Sequence, residues 1–279
     1  MTGKPAVEEG RLEERRMRRD GSGTIGARRA RTLGTVTIGQ SPRVDLIPEL
    51  RMAMGLPEGE GREIGAFRIV EAGALDGLTL DEVREFKPDP GDYVLVTRMA
   101  DGTPVKIAER HILPRMQAQI DRLVKEGADV VALVCTGEFP EFRSERLLVK
   151  PQRVLYHVVA ALAEGKRLGV LLPDEDQKPQ GYARWSSVWS VCRDDGGGDL
   201  HKCGDSSSEG WLRIEAASPY GDPAAIEQAS AALRDWGAEL VVMDCIGYTL
   251  AMKESVRSIT GAPVILARSI LGRVLAELV

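Results

Sequence analysis

An eleven-residue pattern occurs twice in the chain and constrains its fold more than any other feature. The first copy, 127–137, reads Gly-Ala-Asp-Val-Val-Ala-Leu-Val-Cys-Thr-Gly, and the second, 237–247, reads Gly-Ala-Glu-Leu-Val-Val-Met-Asp-Cys-Ile-Gly. Five of the eleven positions are identical, and both copies end in Cys-x-Gly. A short apolar run between Gly-Ala-acid and a glycine is typical of a strand buried on both faces of a parallel sheet. The repeat therefore predicts two related parallel strands, each followed by a cysteine.

Predicted strands and helices alternate throughout the chain. Leu168-Gly169 begins a strand and a polar loop similar to those that begin at Leu33-Gly34, so the second half resembles a restart of the first. We therefore predict an α/β fold of two pseudo-symmetric, Rossmann-like lobes with mostly parallel sheets. The predicted divisions are a disordered basic tail at 1–33, a first lobe at 34–164, a second lobe at 165–263 with a flexible insertion at 190–210, and a C-terminal helix at 264–279 that could pack back on the first lobe.

Local signals indicate several elements around the repeat. Asp101-Gly102 separates two strand-like runs, 93–98 and 105–108, and predicts a β-hairpin. A long helix is predicted over 109–126, immediately before the first copy of the repeat. Asp222-Pro223 supplies a helix N-cap and a proline at the first helical position, so a second helix is predicted to run from there to the second copy.

The formal charge of −5 is unevenly distributed and bears on the partners of the chain. Residues 1–33 hold nine Lys or Arg and five Asp or Glu, a charge of +4 that leaves −9 for the remainder. An acidic body argues against nucleic acid as a partner. No run approaches the roughly 18 apolar residues of a membrane span, and no apolar segment follows the basic N-terminus, so neither a membrane partner nor a secretory signal is expected. Four cysteines are too few for a disulfide scaffold, and a cytoplasmic protein with free thiols is expected.

The repeated cysteines, Cys135 and Cys245, each stand at the carboxyl end of a predicted strand. Ligands of open α/β sheets bind at that edge, so both thiols are expected to face one ligand crevice. A thiolate on one side of a bound carbon acid can remove a proton while a thiol on the other side returns one, which inverts the carbon without a cofactor. Backbone N–H groups near Gly137 and Gly247 can hold a carboxylate or its enolate. The alternative that each cysteine is only a small buried hydrophobe stays open.

Three segments at predicted strand ends resemble a known family. They read Thr37-Ile-Gly-Gln-Ser-Pro-Arg43, Cys135-Thr-Gly-Glu-Phe-Pro140 and Met243-Asp-Cys-Ile-Gly-Tyr248. They resemble the AroM family, a branch of the aspartate/glutamate racemase superfamily, and the similarity extends from about Gly34 to Val279 with an interruption at 190–210. The resemblance implies an Asp/Glu racemase-like fold in which each half of the protein gives one catalytic cysteine.

The resemblance also implies roles for the residues around the thiols. Cys135 and Cys245 would form the proton-transfer pair. Gln40 and Ser41 would lie near the first thiol, and Thr136 with Gly137 would bind the substrate carboxylate.

The second cysteine segment departs from the pattern of amino-acid racemases. Those enzymes tend to have Cys-Asn-Thr at the first site and Cys-Thr at the second, whereas this chain has Cys-Thr-Gly and Cys-Ile-Gly-Tyr. Ile246 therefore lacks a hydroxyl expected to hold the substrate, and Tyr248 is the candidate to replace it. This departure puts aspartate or glutamate as the substrate in doubt.

Further candidates for binding a substrate carboxylate lie at the ends of other predicted strands. Arg43 and Arg98 can pair with a carboxylate, and for each a solvated surface position is an equal alternative. The complete predicted site comprises catalytic Cys135 and Cys245 with substrate-binding Gln40, Ser41, Arg43, Thr97, Arg98, Thr136, Gly137, Gly247 and Tyr248.

No metal or other cofactor is expected. Cys192, His201 and Cys203 form a cluster whose spacing matches no common zinc motif and which supplies only three ligands. His111 and His157 fall in predicted helices, where an exposed or hydrogen-bonded histidine is the commoner situation.

These observations predict a cofactor-independent racemase or isomerase that acts at a carbon next to a carboxylate in a small metabolite. Two alternatives stay open. One is a catalytically silent metabolite-binding or regulatory protein on the same scaffold. The other is a decarboxylase or isomerase that uses a single cysteine. The sequence leaves the substrate and the oligomeric state open, a homodimer included.

Overall fold

The two halves of the chain build two parallel sheets and a separate hairpin. The computed structural model describes residues 31–56, 67–191 and 210–279. Residues 1–30 of the predicted tail and 192–209 of the predicted insertion lie outside the described residues. The described strands are β1 (Arg31–Thr37), β2 (Phe67–Gly73), β3 (Val94–Arg98), β4 (Pro104–Ala108), β5 (Val130–Leu133), β6 (Leu147–Val149), β7 (Leu168–Leu172), β8 (Leu212–Ala216), β9 (Leu240–Met243) and β10 (Val264–Leu266).

Helices connect most of these strands. The described α-helices are α1 (Ile47–Ala53), α2 (Leu80–Arg84), α3 (Glu109–Lys125), α4 (Pro151–Leu162), α5 (Lys178–Val191), α6 (Pro223–Trp236), α7 (Leu250–Thr260) and α8 (Ala267–Leu278). The predicted helices before the two copies of the repeat are confirmed as α3 and α6. None of the described helices is both long and apolar enough to cross a membrane.

The two sheets have matching topologies. The first has the strand order β2-β1-β5-β6 and the second the order β10-β9-β7-β8, and every pairing in both sheets is parallel. Strands β5 and β9, which carry the repeat, each lie second from an edge of their sheet and are fully buried along their length. The predicted α/β fold with parallel sheets is confirmed.

The Gly-Ala part of the repeat has the same structural cause in both halves. Gly127 and Gly237 follow α3 and α6 with φ angles of 92° and 85°, the left-handed region that glycine occupies at little cost. The alanine that follows packs against a glycine of the neighbouring strand: a Cβ on Gly34 would lie 3.3 Å from Ala128, and a Cβ on Gly169 would lie 3.1 Å from Ala238. Small residues therefore allow each helix to approach its sheet closely.

The acidic residue of the repeat aligns the neighbouring strand. Asp129 accepts the N–H of Thr32 at 2.8 Å in the first half, and Glu239 accepts the N–H of Arg167 at 3.0 Å in the second. These bonds hold the start of β1 and of β7 beside the strands that carry the cysteines. Strand β1 begins at Arg31, three residues before the predicted start of the first lobe at Gly34, because Thr32 and Leu33 are already paired and buried.

The predicted hairpin is confirmed as β3 and β4, which pair antiparallel around a turn that contains Gly102 at a φ of 92°. Two glutamine side chains of the second half bind the first residue of β3. The side chain of Gln177 donates to the Val94 carbonyl at 2.9 Å, and the side chain of Gln180 accepts the Val94 N–H at 3.0 Å. The hairpin thereby contacts the second half as well as the first.

The last described helix contacts the first half of the chain. Helix α8 packs on α1 so closely that a Cβ on Gly272 would lie 3.2 Å from the Leu50 carbonyl oxygen and closer still to Ala53. Its first turn also carries Arg268, which reaches Glu49 of α1 at 2.8 Å. The second half therefore supplies part of the scaffold around α1.

Candidate active site

Each repeated cysteine lies two residues beyond its strand with the same local contact. The N–H of Gly137 donates to the sulfur of Cys135 at 3.4 Å, and the N–H of Gly247 donates to the sulfur of Cys245 at 3.3 Å. Both cysteines are free and partly buried. The sequence repeat thus corresponds to two thiols that each face a backbone donor at the carboxyl edge of a parallel sheet.

The two cysteine loops contact each other directly. The hydroxyl of Thr136, next to Cys135, donates to the carbonyl of Asp244, next to Cys245, at 3.3 Å. Negative charge on Cys245 also raises the pKa of Cys135, after the larger effect of burial. The two cysteine loops are therefore adjacent, and the thiols lie near enough to influence each other electrostatically.

Asp244 is the centre of a buried hydrogen-bond network between the loops. One carboxylate oxygen accepts from Arg184 and from the Trp185 indole, each at 2.9 Å. Arg184 also donates to the Tyr93 hydroxyl at 2.6 Å, and that hydroxyl accepts the N–H of Glu138 at 3.0 Å. The chain of contacts returns to the Cys135 loop, so the two cysteine loops are joined by side chains as well as by Thr136.

Arg268 holds the other side of the Cys245 loop. Its guanidinium is 1% exposed and donates to the carbonyls of Ile246 at 2.9 Å and Gly247 at 3.1 Å. A third contact, to Glu49 at 2.8 Å, compensates the buried charge. With both carbonyls bound to Arg268, the Gly247 N–H remains directed at the sulfur of Cys245.

Arg43 is buried beside the site, and most of the N–H groups of its guanidinium donate hydrogen bonds to other residues of the protein. Its guanidinium forms a bidentate pair with Asp45 at 2.9 Å and donates to the hydroxyls of Thr37 at 2.9 Å and Tyr220 at 3.0 Å. Four of the five N–H groups of an arginine are used in this arrangement. The role of Arg43 in binding a substrate carboxylate stays a prediction.

Arg98 and Thr97 retain more unused hydrogen-bonding capacity. Arg98 reaches Asp45 with one nitrogen at 3.5 Å and lies over the Tyr220 ring at 5.2 Å, with a side chain that is 28% exposed. The buried hydroxyl of Thr97 has no hydrogen-bond partner among the described residues. A Cβ on Gly39 would collide with that hydroxyl, which explains the glycine at this position.

Gln40 and Ser41 shape the first loop. Gln40 donates to the carbonyls of Leu75 and Leu78 at 3.2 and 2.7 Å and accepts the N–H of Ala100 at 2.9 Å. The hydroxyl of Ser41 donates to Asp76 at 2.7 Å. These contacts fix the loop after β1, and the substrate contacts of both side chains stay predictions.

The side chains after Cys245 point away from solvent. Ile246 is 2% exposed and lies in the core, and Tyr248 is fully buried with its hydroxyl donating to the Ala217 carbonyl at 2.6 Å. The hydroxyl that the sequence assigns to substrate binding therefore has a structural acceptor. In the first half Gly137 faces Phe139 and Leu95, so the surroundings of the two thiols differ.

Burial dominates the acidity of both thiols. It raises the pKa of Cys135 to about 12 and the pKa of Cys245 to about 11, and the Gly137 and Gly247 N–H groups oppose this rise. The positive charges of Arg43 and Arg268 also lower the pKa of Cys245, whereas Arg184 lowers that of Cys135. Burial therefore disfavours ionisation of both thiols, and negative charge on Cys245 further disfavours ionisation of Cys135.

The raised pKa values predict the pH dependence of alkylation by iodoacetamide. Because the thiolate is the reactive form, the rate at each cysteine is expected to rise about tenfold per pH unit up to pH 10, well beyond the plateau of an ordinary thiol. Mass spectrometry of the two cysteine peptides measures both rates. A plateau below about pH 9 at either site would contradict the burial described above.

Several contributing residues are not evident from the sequence. Tyr93, Arg184 and Arg268 contact the two cysteine loops. Asp244 lies in the second of these loops, and Tyr220 lies beside Gly247. Tyr220 could have been identified from the sequence in one way, because it follows the predicted strand 211–216 at the edge where ligands bind.

The remaining sequence candidates fall elsewhere. Cys192, His201 and Cys203 lie outside the described residues. Within the described ranges no group of three or more His, Cys, Asp or Glu has the arrangement of a metal site. His111 lies in α3 and stacks on Phe86 with ring centroids 5.0 Å apart.

Two solved structures have the same arrangement of sheets and helices. The aspartate racemase of Picrophilus torridus is 12% identical, with a TM-score of 0.52 over 89% of this chain and 94% of that one. The glutamate racemase of Aquifex pyrophilus is 11% identical, with a TM-score of 0.50 over 89% of this chain and 84% of that one. At these identities the similarity shows the fold alone: it is the Asp/Glu racemase fold.

The family follows from a separate comparison. The model of the AroM protein family matches residues 33–194 and 202–279, so the chain belongs to the AroM family. No curated protein matches the chain. The predicted resemblance to the AroM family is confirmed.

Proposed function

We propose that the protein is a cofactor-independent racemase or isomerase acting at a carbon next to a carboxylate, with Cys135 and Cys245 as the acid/base pair. The observation that carries this proposal is the matched pair of strand-end thiols, each facing a glycine N–H, on loops joined by the Thr136–Asp244 bond. Proton transfer to opposite faces of one carbon needs an acid and a base on opposite sides of it, and two equivalent groups meet that need.

The electrostatic coupling of the thiols supports the same chemistry. A two-base inversion requires one thiolate and one thiol at the start of each turnover. Burial and the charge of Cys245 both raise the pKa of Cys135, which disfavours the doubly ionised state. The pair is thereby biased toward carrying at most one negative charge.

The proposal includes a small carboxylate-containing metabolite as the partner, no cofactor, and a cytoplasmic location. The two thiols suffice for both proton transfers, because each takes or gives one proton. Free thiols that act as acid and base persist in a reducing compartment.

Deuterium uptake from D2O tests the proposal. The protein is incubated in D2O with a panel of amino and 2-hydroxy acids, and uptake at the carbon next to the carboxylate is followed by NMR and mass spectrometry. Uptake into at least one substrate is expected, and it should disappear in the double variant Cys135→Ala, Cys245→Ala. Uptake that persists in the double variant would contradict the assignment.

One observation favours the alternative of a catalytically silent binding protein. Burial raises the pKa of both thiols, an environment that disfavours the reactive thiolate at neutral pH. Under this alternative a carboxylate ligand raises the unfolding temperature, but no member of the panel exchanges. Thermal unfolding in the presence of the same panel therefore distinguishes the two functions.

A further inference from the structure

Tyr220 lies beside the site on the loop that follows β8. Its N–H donates to the Ser218 hydroxyl at 3.1 Å, which fixes the loop at the carboxyl edge of the second sheet. Its hydroxyl oxygen accepts a hydrogen bond from Arg43 at 3.0 Å. The guanidinium carbon of Arg98 lies over its ring, 5.2 Å from the ring centroid. The phenol is thus held in a defined position between two guanidinium groups while its side chain remains partly exposed.

The hydroxyl hydrogen of Tyr220 is available for a further bond. A guanidinium group only donates, so in the Arg43 contact the tyrosine oxygen must be the acceptor. Among the described residues no acceptor takes the hydrogen of this hydroxyl. Donation from a positively charged partner also strengthens the hydroxyl as a donor in its turn.

Tyr220 is close to the second thiol. A Cβ added to Gly247 would lie 2.5 Å from the Tyr220 hydroxyl and 2.9 Å from Pro219, so glycine is required there for the tyrosine to approach. Burial raises the pKa of Tyr220 to about 12, and charge on Cys245 contributes to that rise. The neutral hydroxyl is therefore the form present beside Cys245 at neutral pH.

Other hydroxyls are less suited to a ligand at Cys245. Ile246 supplies none, and the hydroxyl of Tyr248 donates to the Ala217 carbonyl at 2.6 Å. The hydroxyl of Thr136 donates to the carbonyl of Asp244 at 3.3 Å. Tyr220 combines a free hydroxyl hydrogen with proximity to Gly247.

We infer that Tyr220 donates its hydroxyl hydrogen to a carboxylate oxygen of the ligand held next to Cys245, in place of the hydroxyl missing at Ile246. The choice of a carboxylate ligand rests on the proposed function. Arg98, beside the same ring, adds positive charge to this side of the site. Tyr220 is thus a substrate-binding residue that orients the carboxylate against the second thiol.

Two alkylating agents that share a leaving group test this inference without any turnover. Iodoacetate carries a carboxylate, and iodoacetamide is its neutral counterpart of similar size. The ratio of their rates at Cys245, measured by mass spectrometry, reports recognition of a carboxylate next to that thiol. In Tyr220→Phe the ratio at Cys245 is expected to fall about tenfold, the effect of one hydrogen bond to a charged group. The ratio at Cys135 and the iodoacetamide rate at Cys245 should stay within about twofold of the wild type.

Tyr182→Phe is the matched control, because its hydroxyl accepts the N–H of Ile214 on β8 at 3.2 Å and lacks a role at the thiols. An unchanged ratio at Cys245 in Tyr220→Phe, or an equal fall in Tyr182→Phe or at Cys135, would overturn the inference. If the ratio falls as expected while no panel compound exchanges deuterium, the racemase function fails and carboxylate recognition by Tyr220 stands.

Discussion

Cys135→Ala and Cys245→Ala are each expected to lower the rate of substrate inversion by about 10² to 10⁴-fold, the usual contribution of a positioned acid or base. Each thiol serves one face of the carbon, so neither variant can complete a transfer from one face to the other. The remaining thiol can still remove and return a proton on its own face. Residual exchange should therefore be limited to one enantiomer, and to opposite enantiomers in the two variants.

Chiral chromatography measures inversion, and NMR in D2O measures exchange into each enantiomer separately. Circular dichroism and the unfolding temperature of each variant serve as controls for folding, since both cysteines are partly exposed and lie in loops. An inversion rate within about tenfold of the wild type in either single variant would refute the two-thiol mechanism. Exchange of the same enantiomer in both variants would favour a site that uses a single cysteine.

Asp244→Ala is expected to reduce the free energy of unfolding by about 3 to 5 kcal/mol, because it leaves the Arg184 cation buried without its partner. The side chains of this pair are 7% and 0% exposed, and their nitrogen and oxygen are 2.9 Å apart. The Trp185 indole N–H loses its acceptor in the same substitution. Urea unfolding monitored by circular dichroism measures the change.

A double-mutant cycle separates the free energy contributed by the ion pair from the free energy lost with side-chain packing. Arg184→Met removes the cation, and the double variant should be less destabilised than the two single effects together, with a coupling of about 1 to 3 kcal/mol. Glu254→Ala provides the control, because its pair with Arg257 has side chains that are 65% exposed and should give no measurable change. Additive effects in the cycle would show that Asp244 and Arg184 do not stabilise each other.

Local patterns in the sequence were sufficient for the elements that carry the thiols. The Gly-Ala-acid-apolar-Cys repeat predicted β5 and β9, because a helix-ending glycine, a small packing residue and a buried strand each impose a local preference. Asp101-Gly102 predicted the hairpin for the same kind of reason. These preferences act within a few residues and are visible in a single sequence.

The contacts that join the two halves could not be predicted from local sequence patterns. Asp244 and Arg184 are 60 positions apart, and Arg268 and Glu49 are 219 positions apart. Such pairs depend on the position and orientation in which each helix packs on its sheet. Hydrophobic periodicity in the sequence does not specify that packing geometry. For the same reason Tyr248 was an attractive substrate contact in the sequence, whereas the turn after Cys245 directs it into the core.

The bonds between the halves also determine how a substrate can reach the thiols. Thr136 with Asp244, Arg184 with Tyr93, and Arg268 with Glu49 all cross from one half to the other. A hinge opening of the whole molecule would break these three contacts together, among them the ion pair between Arg268 and Glu49. We therefore expect admission and release to use displacements of surface loops while the body stays closed.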